Sequence, residues 1–232
     1  GNGGELAAFS ARHGIELDEE LLLREDRRPA VLSVDTKPYP TARQALSAIE
    51  AFRALLPLPF PADDIEAVEV SVPAQVRDMI ARAPDGRIGS MVSVAYQMAL
   101  ALFAPARLHD ALRERVLADA RISGFTARVA LAADAGLTSL FPAVWGARVN
   151  VRSKSGRECA SEVLDPIGSA QSPPGWEDLS EKLSRMLDAG KIGRPDAIRL
   201  LARGCREVGR PGPIHIRRDL LRPLTDAAGL RN

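Results

Sequence analysis

Apolar residues along this chain change their period several times, and each change predicts an element. Ala42, Ala45, Leu46, Ile49, Phe52, Leu55 and Leu56 recur at three- and four-residue steps, the spacing of a helix with one buried face. Thr41 stands in front of them as the expected N-cap, and the LPLPFP run from Leu56 to Pro61 stops the helix. Alternation takes over in IEAVEVSV. Val68, Val70 and Val72 fall on one face and Glu69 and Ser71 on the other, which predicts a half-buried strand. Pro73 suits the opening of a helix that runs through Ile80.

Ser90–Phe103, SMVSVAYQMALALF, is apolar nearly all round, as a helix packed on several sides must be. Its polar exceptions Ser90, Ser93 and Gln97 share one stripe, with Tyr96 beside them. Such a stripe either meets a hydrogen-bonded neighbour or lines a cavity. TARVAL (Thr126–Leu131) and ARVNVR (Ala147–Arg152) alternate like strands. The turn SKSG then leads into RECASEV, so residues 147–163 predict a hairpin. SPPGWEDLSEKLSRML starts a further helix, with Trp176, Leu179, Leu183, Met186 and Leu187 expected on its buried side. Helices and strands mix without strict alternation, which makes the fold class α+β and not doubly wound.

Composition narrows the function. Of 232 residues, 31 are Lys or Arg and 30 are Asp or Glu, and aromatic residues are only 4%. A general nucleic-acid binder needs a basic excess and stacking platforms, so none is expected. Two cysteines, Cys159 and Cys205, make neither a disulfide framework nor a metal site. No apolar run reaches the roughly 18 residues of a membrane span. With no leader visible either, a cytoplasmic location is the expectation. The charge is uneven: residues 189–232 hold ten Lys or Arg against four acids, which predicts a basic helical C-terminal extension. Residues 1–29 open rich in glycine and read as a linker into a domain over 30–188.

Standard catalytic constellations are missing. There is no HExxH, CxxC, P-loop, GxSxG or dinucleotide fingerprint. His13, His109 and His215 are far apart in the chain, each as suited to the surface as to a ligand, and DAGLTSLFPAVWG (Asp134–Gly146) carries no mechanism. What remains is the corner DTKPYPTAR, Asp35–Arg43, where two prolines stiffen the chain beside Lys37, Tyr39 and Arg43. Either it brings an extended segment to a helix start, or it holds Lys37 and Arg43 toward an anion.

KPYPTARQALSAIEAF, the DDIEAVEV strand, the S-x-x-Y of Ser93 and Tyr96, DARI (Asp119–Ile122) and the RVNVRSKSGRE hairpin occur in one order. Together, from about Arg28 to about Leu187, they resemble the C-terminal region of the MmgE/PrpD family, which includes 2-methylcitrate dehydratase, cis-aconitate decarboxylase and iminodisuccinate epimerase. The resemblance implies a smaller α+β domain that follows a large helical one, with residues 1–29 as the tail end of that helical domain. It implies lyase or isomerase chemistry on small di- or tricarboxylates, by proton abstraction next to a carboxylate, without metal or cofactor, in a homodimer. Lys37 matches the lysine of the family's K-P-Y-P corner at the cleft between domains, which makes it the candidate catalytic residue, either stabilising enolate-like charge or serving as acid or base. Tyr39 and Arg43 match positions suited to binding substrate, and Ser93 and Tyr96 match the family's S-x-x-Y positions, which either hydrogen-bond substrate or brace the cleft. Many members carry a histidine shortly after the lysine corner, whereas this chain has Leu46 and Ala42 there. The resemblance therefore also admits a non-catalytic remnant or assembly module.

Overall fold

In the computed structural model the described residues are 34–190, except 82 and 111, together with Arg12 and Gly14. The expected linker over 1–29 and extension over 189–232 lie outside them, apart from Arg12, Gly14 and the end of the last helix. The chain divides into two units, Gly1–Val34 and Asp35–Asn232, and every element below belongs to the second.

Four strands form one mixed sheet in the order β2-β1-β3-β4, which confirms the α+β class. β1 is Ile65–Val72, β2 is Val129–Ala133, β3 is Ala147–Ser153 and β4 is Glu158–Val163. β1 runs parallel to β2 and antiparallel to β3, and β3–β4 is the expected hairpin. Val68, Val70 and Val72 share the buried face with Val149 and Val151, all at most 1% exposed. A register irregularity between Ile65 and Ala67 lets Ile65 turn to the same buried side as Val68, three residues on. The opposite face is polar, with Arg152 on Glu66 and Arg148 on Glu162 as cross-strand pairs.

Helices cover the apolar face. α1 (Leu46–Ala54) lies on β3 and β4 and buries Leu46, Ile49 and Phe52. α2 (Ala74–Ile80) opens behind Pro73. The apolar stretch from Ser90 is not one helix. α3 (Arg87–Val92) ends at Ser93, and α4 (Val94–Phe103) begins there, because the Ser93 hydroxyl turns back to accept from the Tyr96 amide. A serine that caps its own downstream helix competes with helix continuation, and uniform apolarity hides the break.

Thr41 is not an N-cap. Its hydroxyl donates to the carbonyl of Met91, which also accepts from Ala42 N and Gln97 Nε2. An orphan carbonyl at the end of α3 draws those donors, so the first helix starts instead as a 3-10 turn at Arg43–Ala45. β2 begins at Val129 because Ala120–Thr126 forms α5, capped by Asp119 and buried through Ile122 and Phe125. α6 is Ala135–Leu140. α7 (Trp176–Gly190) buries Leu187 and half-buries Leu179 and Leu183, but Trp176 is 78% and Met186 50% exposed. α7 meets the 3-10 turn Pro105–His109.

Candidate functional site

The proline corner is held from two sides. The Thr36 amide donates to the carbonyl of Gly168 at 2.6 Å, and the Ala170 amide donates to the Asp35 carboxylate. Gly168 has φ +95°, and a Cβ there would sit 1.8 Å from the Thr36 carbonyl oxygen, so only glycine lets the two segments approach. The other carboxylate oxygen of Asp35 pairs with Arg43. Arg43 also lies over the Trp145 ring, 5.1 Å from its centroid, on a loop anchored by the Ser47 hydroxyl donating to the Trp145 carbonyl. The Asp134–Gly146 segment, mute as sequence, thus supplies the aromatic plate under Arg43.

The corner sorts its cations. Arg43 is neutralised by Asp35, although its Nη1 is shielded from solvent without a partner. Lys37 is exposed and has no hydrogen-bond or ion-pair partner among the described residues. Tyr39 is 1% exposed, and its hydroxyl donates to Glu50 Oε1 at 2.6 Å. Burial first, and the Glu50 charge second, hold that phenol well above its ordinary range.

Tyr39 opens onto a cavity of about 210 Å³ that the sequence did not announce. Its walls come from the corner, from Glu50 and Arg53 on α1, from His109, and from α7. Arg53 bridges Glu50 at 3.0 Å and lies over the Tyr39 ring. His109 meets the same ring edge-on at 5.7 Å between centroids. Its Nδ1 is shielded without a partner. Burial, reinforced by Arg185 and Arg53, pushes the imidazole down to about 4, so it is neutral at pH 7. Lys37 does not line this cavity.

Ser93 and Tyr96 lie elsewhere, in a closed network. Tyr96 is fully buried and its hydroxyl donates to the Arg113 carbonyl at 2.6 Å. Arg113, also fully buried, donates to Gln97 Oε1 and to the carbonyls of Leu108 and Asp110. Burial lowers that guanidinium to about 10 and raises the Tyr96 phenol to about 12. The Ser90 hydroxyl donates to the Arg87 carbonyl. The polar stripe has found hydrogen-bonded neighbours, and Ser93, 2% exposed, reaches only the wall of a separate apolar cavity of about 270 Å³. Among the described residues no group of three or more His, Cys, Asp or Glu can hold a metal ion, and no helix is long and apolar enough to cross a membrane.

A helix-covered mixed sheet, entered through a pinned proline corner, defines a small α+β domain. Residues 39–200 match the sequence model of the MmgE/PrpD C-terminal domain, and the chain belongs to that family. The match takes in Tyr39, Arg43, Ser93 and Tyr96 and starts two residues after Lys37. Compared with curated proteins, the chain matches none of them.

Proposed function

We propose that this chain is the smaller domain of a cofactor-independent lyase or isomerase that takes a proton from carbon next to a carboxylate of a small di- or tricarboxylic acid. In this reading a helical domain of the same family closes over the corner, the assembly is a cytoplasmic homodimer, and Lys37 is the catalytic residue. The observation that carries it is the contrast at the corner. Lys37 keeps an unmatched ammonium on backbone pinned by Gly168 and Asp35, whereas Arg43 is paired. A compact cation on rigid backbone suits the enolate-like charge that develops when the proton leaves. Arg43 and Tyr39 then act from behind, through Asp35 and Glu50, and Ser93 and Tyr96 brace α4.

The inward turn of Ser93 and Tyr96, with Leu46 buried where relatives carry histidine, favours a second reading: a scaffold of the same fold without turnover. Assaying the full-length protein on a panel of small di- and tricarboxylates decides between them. Lys37→Ala is expected to lower kcat/KM by about 100-fold or more, the scale of a lost acid–base or charge-stabilising group. Undiminished turnover removes Lys37 from the reaction. A parent protein that turns over no acid of the panel leaves the scaffold.

A further inference from the structure

We propose that the free edge of β2 is the surface through which two copies of this chain pair, strand against strand about a two-fold axis. The pairing rests on the proposed homodimer only in needing two copies, and it needs no turnover.

The two ends of the sheet are not alike. β2 and β4 are its outer strands. β4 carries Glu158 and Glu162, charges that discourage a further strand from joining. β2 reads VALAA, with neither charge nor proline, and pairs with β1 in unbroken register. Its hydrogen bonds fix which groups are left over. The Arg128 carbonyl accepts from the Val68 amide and the Asp134 amide donates to the Val72 carbonyl, so the even-numbered positions face β1. The amides and carbonyls of Val129, Leu131 and Ala133 therefore point away from the sheet. They have no hydrogen-bond partner among the described residues. Ala127, Arg128, Ala130 and Ala133 are exposed, so solvent reaches this edge.

The strand is complementary to itself. Set antiparallel about Leu131, it brings Leu131 against its own copy and Val129 against Ala133. All of these are outward-facing positions, which exchange amide and carbonyl in pairs. A register shifted by one residue would set outward groups against inward ones. The matching register also sets Arg128 opposite Asp134 at either end, a cation facing an anion. Arg128 spends one nitrogen on the Ile65 carbonyl. Asp134 caps α6 through Oδ1, while its Oδ2 has Arg148 at 3.3 Å. Both keep capacity for a further bond. Val129 and Leu131, half-buried, also form a wall of the apolar cavity of about 270 Å³ with Ile80 and Ala95. Pairing sets the two Leu131 side chains beside each other and removes part of that wall from water, which adds to the backbone bonds.

A strand of 5 residues buries less than a standard interface, so dissociation is expected at about 10–100 μM. Sedimentation of the full chain between about 5 and 500 μM should show a reversible monomer–dimer equilibrium. Hydrogen exchange gives the sharper reading. The Val129, Leu131 and Ala133 amides should slow as concentration rises, while those of Ala130 and Ala132, bonded to β1, stay slow throughout. Ala133→Pro removes an outward donor at an exposed position and should weaken the dimer at least about tenfold. Arg128→Glu, which sets like charges opposite one another, should weaken it to a similar degree. Ala160→Pro, the same change at an exposed, outward-facing position of β4, should leave it unaltered. A chain that stays monomeric at the highest concentration overturns the pairing and the homodimer with it. A dimer that survives Ala133→Pro and Arg128→Glu overturns the edge alone and leaves the homodimer to another surface. Slow exchange of the outward amides at every concentration assigns the edge to another segment of the same chain and overturns the pairing too.

Discussion

Two regions of this domain use the same residue types to opposite ends. Around Arg113, a tyrosine, a glutamine and an arginine close on one another and on backbone carbonyls, all fully buried. Around Tyr39, a tyrosine, a glutamate, an arginine and a histidine surround a cavity and leave polar atoms without partners. The lesson is that polar residue type says little about role. What separates bracing from binding is whether the hydrogen-bonding capacity is saturated inside the protein.

The strongest way to break the comparison is Arg113→Leu. The guanidinium donates to one side-chain oxygen and two carbonyls in a region without solvent access, so its removal strands all three acceptors. We expect a loss of about 3–5 kcal/mol in denaturant unfolding, the scale for deleting one partner of a buried charged network. A loss below about 1 kcal/mol would mean that water reaches the network and that it is not closed at all.

Much of the fold was legible because strands announce themselves locally. Val68, Val70 and Val72 alternate, and the SKSG turn sits between two alternating runs. The failures have two causes, a deciding partner distant in sequence and a local cap that an apolar run hides. Thr41 looks like a cap until Met91, fifty residues on, supplies a carbonyl. The break at Ser93 is invisible in an apolar run, since period alone cannot register a serine that turns back on its own helix. At the site, the corner could be read from its prolines, but His109 could not. It sits in PARLHD without a motif, and only the fold brings it to Tyr39, seventy positions earlier. Nor does residue type distinguish a paired Arg43 from an unpaired Lys37.

Lowering the pH sharpens the same contrast at intermediate scale. His109 ionises near its ordinary 6.5 when unfolded but only near 4 in the folded domain, so between these values the unfolded chain binds more protons. Stability from this group is complete above about pH 6.5 and is lost as pH falls toward about 4. One proton sets a ceiling of about 1.4 kcal/mol per pH unit, and partial exposure of the ring reduces the expected slope to roughly 0.5–1. His109→Gln should flatten that part of the stability profile relative to the parent. Parallel profiles would show that the imidazole is solvated and not buried against the Tyr39 ring. The closed network reaches that window only through Arg113, whose charge helps to hold the His109 imidazole down, so Arg113→Leu should lower the whole profile and make this part of it slightly shallower.

The finest comparison makes one substitution in both regions. Tyr96→Phe and Tyr39→Phe each remove a hydroxyl that donates at 2.6 Å from a ring at most 1% exposed. If bond strength alone decided, Tyr39→Phe would cost more, because its acceptor is a carboxylate and charge-assisted bonds are the stronger kind. We expect the reverse order, about 2 kcal/mol for Tyr96→Phe and about 1 kcal/mol for Tyr39→Phe, read from denaturant midpoints at constant slope. Tyr96→Phe strands a carbonyl of the fully buried Arg113, whereas Glu50 keeps Arg53 and opens onto the cavity, where water can take the vacant lone pair. Equal costs, or a larger one at Tyr39, would mean that the cavity beside Glu50 is dry, and the division between a closed brace and an open site would then fail on the open side.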